Sequence, residues 1–347
     1  MRTPALLAAS VLLALGCGND FNPEYRLVKA RVLALQADPP QPQLGNSTTL
    51  RALLYLPEGE PPSYHWSWCP VPTSADNGFE CPIDQAGFDQ MLGLGPDQAP
   101  SLDLGTGETA TLTNLFPPET LAALCTGNAD VTLGGGAGAA PDAGAQSELW
   151  SCASAGFPIT VRMELQTPSM AEVAPAVFKV YLPIDATQPG NQNPVMGGLA
   201  TIEPAPGQGL DEAGSVTLQR HRKYKLHLDM DQSVSEAFVG WTRDELGGYA
   251  TTTNGDHIIG GVQEIIRLNW YAEGGDLGDG DKKYGGVTGY NPYESAPQPF
   301  PSALGIDWTT PKKAAYDKDS ARIMVVVRDD RGGVAWASAV VTLESQP

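Results

Sequence analysis

The sequence predicts an all-β protein built as two tandem antiparallel β-sandwiches with long loop insertions. Three observations carry that prediction. Apolar residues recur at every second position in short runs, clearest in Ile159, Val161, Met163 and Leu165 against Thr160, Arg162, Glu164 and Gln166. That alternation is the mark of a strand with one face in a core and one in water. Glycine (39) and proline (30) are abundant and separate the runs, as the turns of β-proteins require. The 347 residues suffice for two domains, and residues 184–197 have the composition of a linker between them.

The elements follow in chain order. Arg2 gives a positive start, and Ala5 to Leu15 is apolar except for Ser10. The run is shorter than the roughly 20 residues a bilayer span needs, so residues 1–16 read as a signal peptide. Residues 17–26 read as a tether, and the first unit covers 27–183. Its first strand is Val28 to Leu35, stopped by Asp38-Pro39-Pro40. Thr48 to Leu56 follows, with Leu50, Ala52, Leu54 and Leu56 on one face. Tyr64, Trp66 and Trp68 share the core face of the next strand, and His65 points away from it. Residues 70–107 form one insertion, Glu108 to Asn114 a threonine-rich strand, and 117–156 a second insertion with a helical turn at Leu121 to Leu124. The Gly/Ala run at 134–140 is not a phosphate loop, because no Lys-Ser/Thr follows it. Ile159 to Gln166 and Val177 to Leu182 close the unit.

The second unit, 198–344, repeats the plan with strands at Leu199 to Ile202, Val216 to Leu218, Tyr224 to Met230, Phe238 to Trp241 and Glu264 to Tyr271. A polar insertion spans 272–319. Ile323 to Arg328 and Ala337 to Leu343 flank Asp329-Asp330-Arg331-Gly332-Gly333, a hairpin signal. Ile323, Val325 and Val327 face one way, yet Met324 and Val326 make the other face apolar too. A cover is therefore required. The aromatics Tyr284, Tyr290, Tyr293 and Phe300 are the expected cover; the alternative is that they form an exposed surface for a glycan or protein.

Two resemblances add to this reading. Ala14-Leu15-Gly16-Cys17 resembles the lipobox of bacterial lipoproteins. It implies cleavage before Cys17, lipid on its sulfur and on the new amine, and stable attachment to a membrane by several acyl chains. Gly18, in place of Asp, resembles the pattern of lipoproteins passed to the outer membrane. The second resemblance is carried by Trp270-Tyr271-Ala272 with Gly274-Gly275 behind it, Trp308-Thr309-Thr310-Pro311, and Val325 to Asp329 followed by Gly332-Gly333. These are similar to the immunoglobulin-like and PKD-like domains of exported bacterial proteins, and imply a rigid spacer or interaction module. With Cys17 set aside, Cys69, Cys81, Cys125 and Cys152 remain, an even set that suggests two disulfides in an exported chain. Three connectivities are possible; Cys69–Cys81 and Cys125–Cys152 are favoured because each pair flanks a loop within one domain.

The formal net charge is −19, which sets the chain against nucleic acid and anionic headgroups. No G-x-S-x-G or H-E-x-x-H occurs, and His221, His227 and His257 have no neighbours that suggest a triad. No cofactor is expected. Asp276, Asp279 and Asp281 on a glycine-rich loop offer oxygens to calcium, with Asp317, Asp319, Asp329 and Asp330 able to approach in space. The basic island Arg220 to Lys225 reads as an edge strand guarded by cations; the alternative is a site for an acidic partner, a glycan or headgroups. The expectation is a non-catalytic, exported lipoprotein with the membrane and an envelope protein or glycan as partners. A glycan or calcium binder stands second and a hydrolase third.

Overall fold

The computed structural model describes residues 23–57, 60–71, 73–95, 99–125, 156–184, 190–203, 208–230, 234–241, 259–278, 286–290, 292 and 303–344. The first sandwich is formed by β1 (Arg31–Asp38), β2 (Ser47–Tyr55), β3 (Ser63–Cys69), β4 (Asp103–Gly105), β5 (Thr109–Thr113), β6 (Phe157–Gln166) and β7 (Ala174–Leu182). Its sheets run β1-β2-β5 and β4-β3-β6-β7. Consecutive strands β2 and β3 lie in opposite sheets, the Greek-key order of immunoglobulin-like sandwiches. Alternation decides which side chains meet: Leu35, Leu50, Ala110 and Leu112 from one sheet pack on Trp66, Trp68, Val161, Met163 and Leu165 from the other. Both indoles keep a polar partner, as buried tryptophans require: Trp66 donates to the Gly107 carbonyl at 2.9 Å and Trp68 to that of Ser101 at 2.8 Å. The first insertion is more ordered than its composition suggests. A helix, Gln85–Met91, starts on Asp84, whose carboxylate accepts from the Gly87 N–H. The helix plugs one end of the core with Phe88, edge-on to Trp68 at 5.3 Å. Cys69 and Cys81 are joined in a disulfide. A second helix covers Pro118–Cys125.

The second sandwich holds β8 (Met196–Glu203), β9 (Gln208–Gly209), β10 (Thr217–Gln219), β11 (Lys223–Met230), β12 (Ala237–Trp241), β13 (Ile259–Gln263), β14 (Ile266–Ala272), β15 (Asp276–Leu277), β16 (Val287–Tyr290), β17 (Ala303–Thr309), β18 (Ser320–Arg328) and β19 (Val334–Glu344). One sheet runs β15-β17-β11-β8-β9 and the other β10-β19-β18-β14-β16, with β12–β13 as a separate hairpin. The span 272–319, an insertion on the sequence reading, supplies three of these strands. β17 is interior to its sheet, and Trp308 on it is fully buried and donates to the Gly274 carbonyl at 3.0 Å. Its pattern is weak because Gly305 and Asp307 stand between the inward Leu304, Ile306 and Trp308. The basic island is likewise not an edge. Arg220–Arg222 form a turn, and β11, which begins at Lys223, lies third of five in its sheet.

The cover over Met324 and Val326 is not the 272–319 span. It is the first sandwich. Leu33, Ala34, Leu53 and Tyr55 on the outer face of β1 and β2 form one cluster with Met324, Val326 and Val334, flanked by Tyr271 and Trp336. β2 can do this because it is apolar on both faces, Leu50 inward and Leu53 and Tyr55 outward. The sheets therefore stack β4-β3-β6-β7, β1-β2-β5, β10-β19-β18-β14-β16, β15-β17-β11-β8-β9, with the two sandwiches side by side. Guanidinium groups border the seam: Arg31 lies 5.1 Å from the Tyr271 ring centroid and Arg51 5.5 Å from that of Trp336. Arg328 donates to the Leu33 carbonyl at 2.9 Å, and Tyr55 Oη to Glu273 at 2.9 Å. Residues 23–26, counted with the tether in the sequence, and Leu27, counted with the first unit, pair with the second sandwich before the chain enters the first. Ala272 N–H donates to the Tyr25 carbonyl at 3.0 Å and Leu27 N–H to the Ala272 carbonyl at 2.9 Å.

Candidate functional site: the junction between the sandwiches

The β18–β19 hairpin carries Arg331 into a charge cluster with Glu264 and Glu236, where the second sandwich meets the first. A sharp turn places it. Gly332 has φ +96°, and a Cβ there would lie 2.9 Å from the Tyr181 ring of β7. A Cβ on Gly333 would collide with the Asp329 carboxylate. Asp329 Oδ1 accepts from the N–H groups of Arg331 at 2.9 Å and Gly333 at 2.7 Å, so the side chain closes the turn. Asn191, from the connection between the sandwiches, donates to the same carboxylate at 3.1 Å.

Arg331 is 6% exposed and turns into the junction. Its Nη1 lies 3.2 Å from Glu264 and 3.5 Å from Glu236, and its Nη2 donates to Gln41 of the first sandwich at 3.3 Å. The guanidinium sits 4.5 Å from the centroid of the Phe238 ring. Glu264, 1% exposed, also accepts from the Glu236 N–H at 3.0 Å. One guanidinium thus faces Glu264, Glu236 and, through its own turn, Asp329. Charges this dry cannot all ionise without large cost. Burial first, then the neighbouring Asp329 charge, pushes Glu264 up to about 8. Burial raises Asp329 to about 6 against the pull of Asn191 and the turn N–H groups, and Glu236 is raised by burial against Arg331. All three carboxyls are thus pushed toward their protonated form. Next to it lies a cleft of about 480 Å³ lined by Val32–Leu35, Ala176–Phe178, Tyr181 and Arg328–Asp330. The chemistry available is proton storage and orientation of two domains, since each acid is engaged by backbone, amide or guanidinium.

The residues singled out in the sequence fall elsewhere. Cys69 and Cys81 pair as favoured. Cys125 ends a helix, while its side chain, Cys17 and Cys152 lie outside the described residues. Asp276 is held by Arg26 at 2.9 Å, so a cation of the chain already occupies it. Asp279 and Asp281 lie outside the described residues. Asp329 and Asp330 do not approach Asp276: they follow opposite ends of paired strands, since Ala272 pairs with Ile323 and Arg267 with Arg328, five residues or about 17 Å apart. Among the described residues no group of three or more acids, histidines and cysteines is placed to hold a metal. Tyr290 is 9% exposed within the core of the second sandwich, and Tyr284, Tyr293 and Phe300 lie outside the described residues. His65 sits 3.3 Å from Asp103 and 3.4 Å from Glu164, and His227 2.9 Å from Asp229. Neither is bonded to a serine, threonine or cysteine among the described residues.

No protein-family model matches the chain, and no curated protein matches it. Among solved structures it is similar to the three N-terminal domains of the Highly Immunogenic Outer Capsid protein (Hoc) of bacteriophage RB49. That match has 10% identity, covers 92% of this chain and 71% of that one, and has a TM-score of 0.19. At that score the likeness assigns no role to any residue of this chain.

Proposed function

We propose that this chain is a non-catalytic envelope module, exported, lipid-anchored through Cys17, and presenting two sandwiches as one rigid body for interaction or assembly. The seam between β1–β2 and the β14-β18-β19 face carries the reading. A hydrophobic cluster, two cation–aromatic contacts and the Arg331 network fix the sandwiches against one another, as an interaction scaffold needs and a pair of loosely strung domains does not. The lipid anchor rests on Ala14-Leu15-Gly16-Cys17, and outer-membrane placement on Gly18. Labelling with a clickable fatty acid in a bacterial host tests it: the wild type takes up label and stays with membranes through a high-salt wash, and Cys17→Ala does neither. Label on Cys17→Ala, or none on the wild type, overturns the anchor. Crosslinking in membranes then identifies the partner.

A further inference from the structure

The turn read in the sequence as a basic island has an unexpected neighbour. Arg222 N–H donates to Thr310 Oγ1 at 2.9 Å, and Thr310 N–H donates back to the Arg222 carbonyl at 3.0 Å. Arg220 is buried and reaches across to the carbonyls of Tyr316 at 2.9 Å and Lys318 at 2.5 Å. These bonds knit residues 220–223 and 310–319 into one surface that exposes the five cations Arg222, Lys223, Lys312, Lys313 and Lys318 around the buried Arg220, in a protein whose net charge is −19. Arg222, His221, Lys223, Lys312, Lys313 and Lys318 are exposed. Acids stand among them: Asp307 holds Lys223 at 2.6 Å, Asp319 holds Lys313 at 3.2 Å and Arg220 at 3.5 Å, Glu273 stands 3.9 Å from Lys318, Asp317 lies on the same loop, Glu344 pairs with Gln219 beside the turn, and Asp276, paired with Thr309, is held by Arg26. Among the described residues neither Arg222, which donates to Gln219, nor Lys312 is in an ion pair, so both are open to an anionic partner.

This surface lies at the end of the molecule where the anchor arrives. Tyr25 is bonded to Ala272, and Gly274, two residues on, is packed against Tyr316 and Pro311, 3.0 and 3.1 Å from where its Cβ would be. Only the residues from Gly18 to Asn22 separate Cys17 from Pro23, so the chain reaches at most about 22 Å from the lipidated sulfur. The exit point is beside the basic turns and a sheet length away from the acidic Asp329–Asp330 hairpin.

We propose that residues 220–223 and 310–319 form the face that this protein rests on an anionic phospholipid surface. The inference builds on the Cys17 anchor, which brings the face to the bilayer. The overall negative charge does not prevent it. At physiological ionic strength the Debye length is about 8 Å, so acids on the far side of the sandwiches are screened from the headgroups. Cations within that distance are attracted. The second sandwich stands on its turns, with the first sandwich held alongside it.

The test separates this face from the anchor. Full-length Cys17→Ala protein, released from the membrane, is sedimented with phosphatidylcholine vesicles with and without phosphatidylglycerol. The expected result is binding to the phosphatidylglycerol vesicles alone, lost in high salt. Lys312→Glu/Lys313→Glu/Lys318→Glu should lower it at least about tenfold. The corresponding Gln triple variant, which only removes charge, should fall between, and an unchanged thermal midpoint shows that both are folded. Equal sedimentation with the two vesicle types, or an undiminished triple variant, overturns the proposal. Fatty-acid labelling of the wild type reports on Cys17 independently, so an anchor without a basic contact and a basic contact without an anchor are told apart.

Discussion

Replacing Glu264 with Gln tests the account of the junction. Gln is the closest neutral match to the protonated acid. Glu264 is raised to about 8 from an ordinary 4.5, so between those pH values the folded protein keeps a proton that the unfolded chain has released. Its contribution to stability is present in full below pH 4.5 and is lost as pH rises through about 8. At about 1.4 kcal/mol per pH unit the shift bounds the loss at about 5 kcal/mol. Sharing of the proton with Asp329 and relaxation around Arg331 bring the expected value to about 2 kcal/mol. The measurement is urea unfolding of wild type and Glu264→Gln at half-unit steps from pH 4.5 to 8.5. Wild-type stability should fall relative to the variant across that range by about 2 kcal/mol, and the difference removes the general self-repulsion of an acidic protein. A constant difference at all pH values, or a wild type that gains on the variant as pH rises, refutes the reasoning.

Three further outcomes are expected. Met324→Ala should lower unfolding stability by about 2 kcal/mol through the cavity left in the seam, whereas Met324→Asp, which forces a carboxylate into it, should separate the sandwiches, seen as a larger radius of gyration in solution scattering. Cys69→Ser should cost on the order of 3 kcal/mol, the entropy of a loop whose ends are 12 residues apart, measured against wild type in the absence of reductant. Gly275→Ala should destabilise by at least about 1 kcal/mol, since φ is +81° there and a Cβ would lie 2.7 Å from the Trp308 indole nitrogen; a thermal midpoint equal to wild type would contradict the packing at that corner.

Strand alternation made much of this fold legible. Trp66, Trp68, Ile266, Leu268 and Trp270 all face inward as their spacing requires. The hairpin at Asp329–Gly333 is equally plain, because Asp and Gly after an apolar strand have few other uses. What failed was the long-range assignment. Met324 and Val326 announce that they need a cover, but nothing local says that Leu33 and Leu53, almost 300 residues earlier, provide it. Leu53 and Tyr55 carried a usable signal, since they leave β2 apolar on both faces. β17 was missed because glycine and aspartate interrupt it. The junction acids were least visible. Glu264 precedes an apolar strand like any strand-flanking acid, and only folding places Arg331 3.2 Å from it.

The N-terminal segment also has a consequence in time. Arg26 meets Asp276 across 250 residues of sequence, and Leu27 pairs with Ala272. A chain synthesised from its N-terminus delivers Tyr25 and Arg26 first, yet their sheet partner arrives only after more than two-thirds of the protein has been made. Domains fold as they emerge, so the first sandwich can close its core while these residues wait. The leading segment is thus among the last to be sewn in. A truncation before β14 would leave an intact first sandwich with its outer apolar face and its leading segment both bare, a form a quality-control protease would recognise.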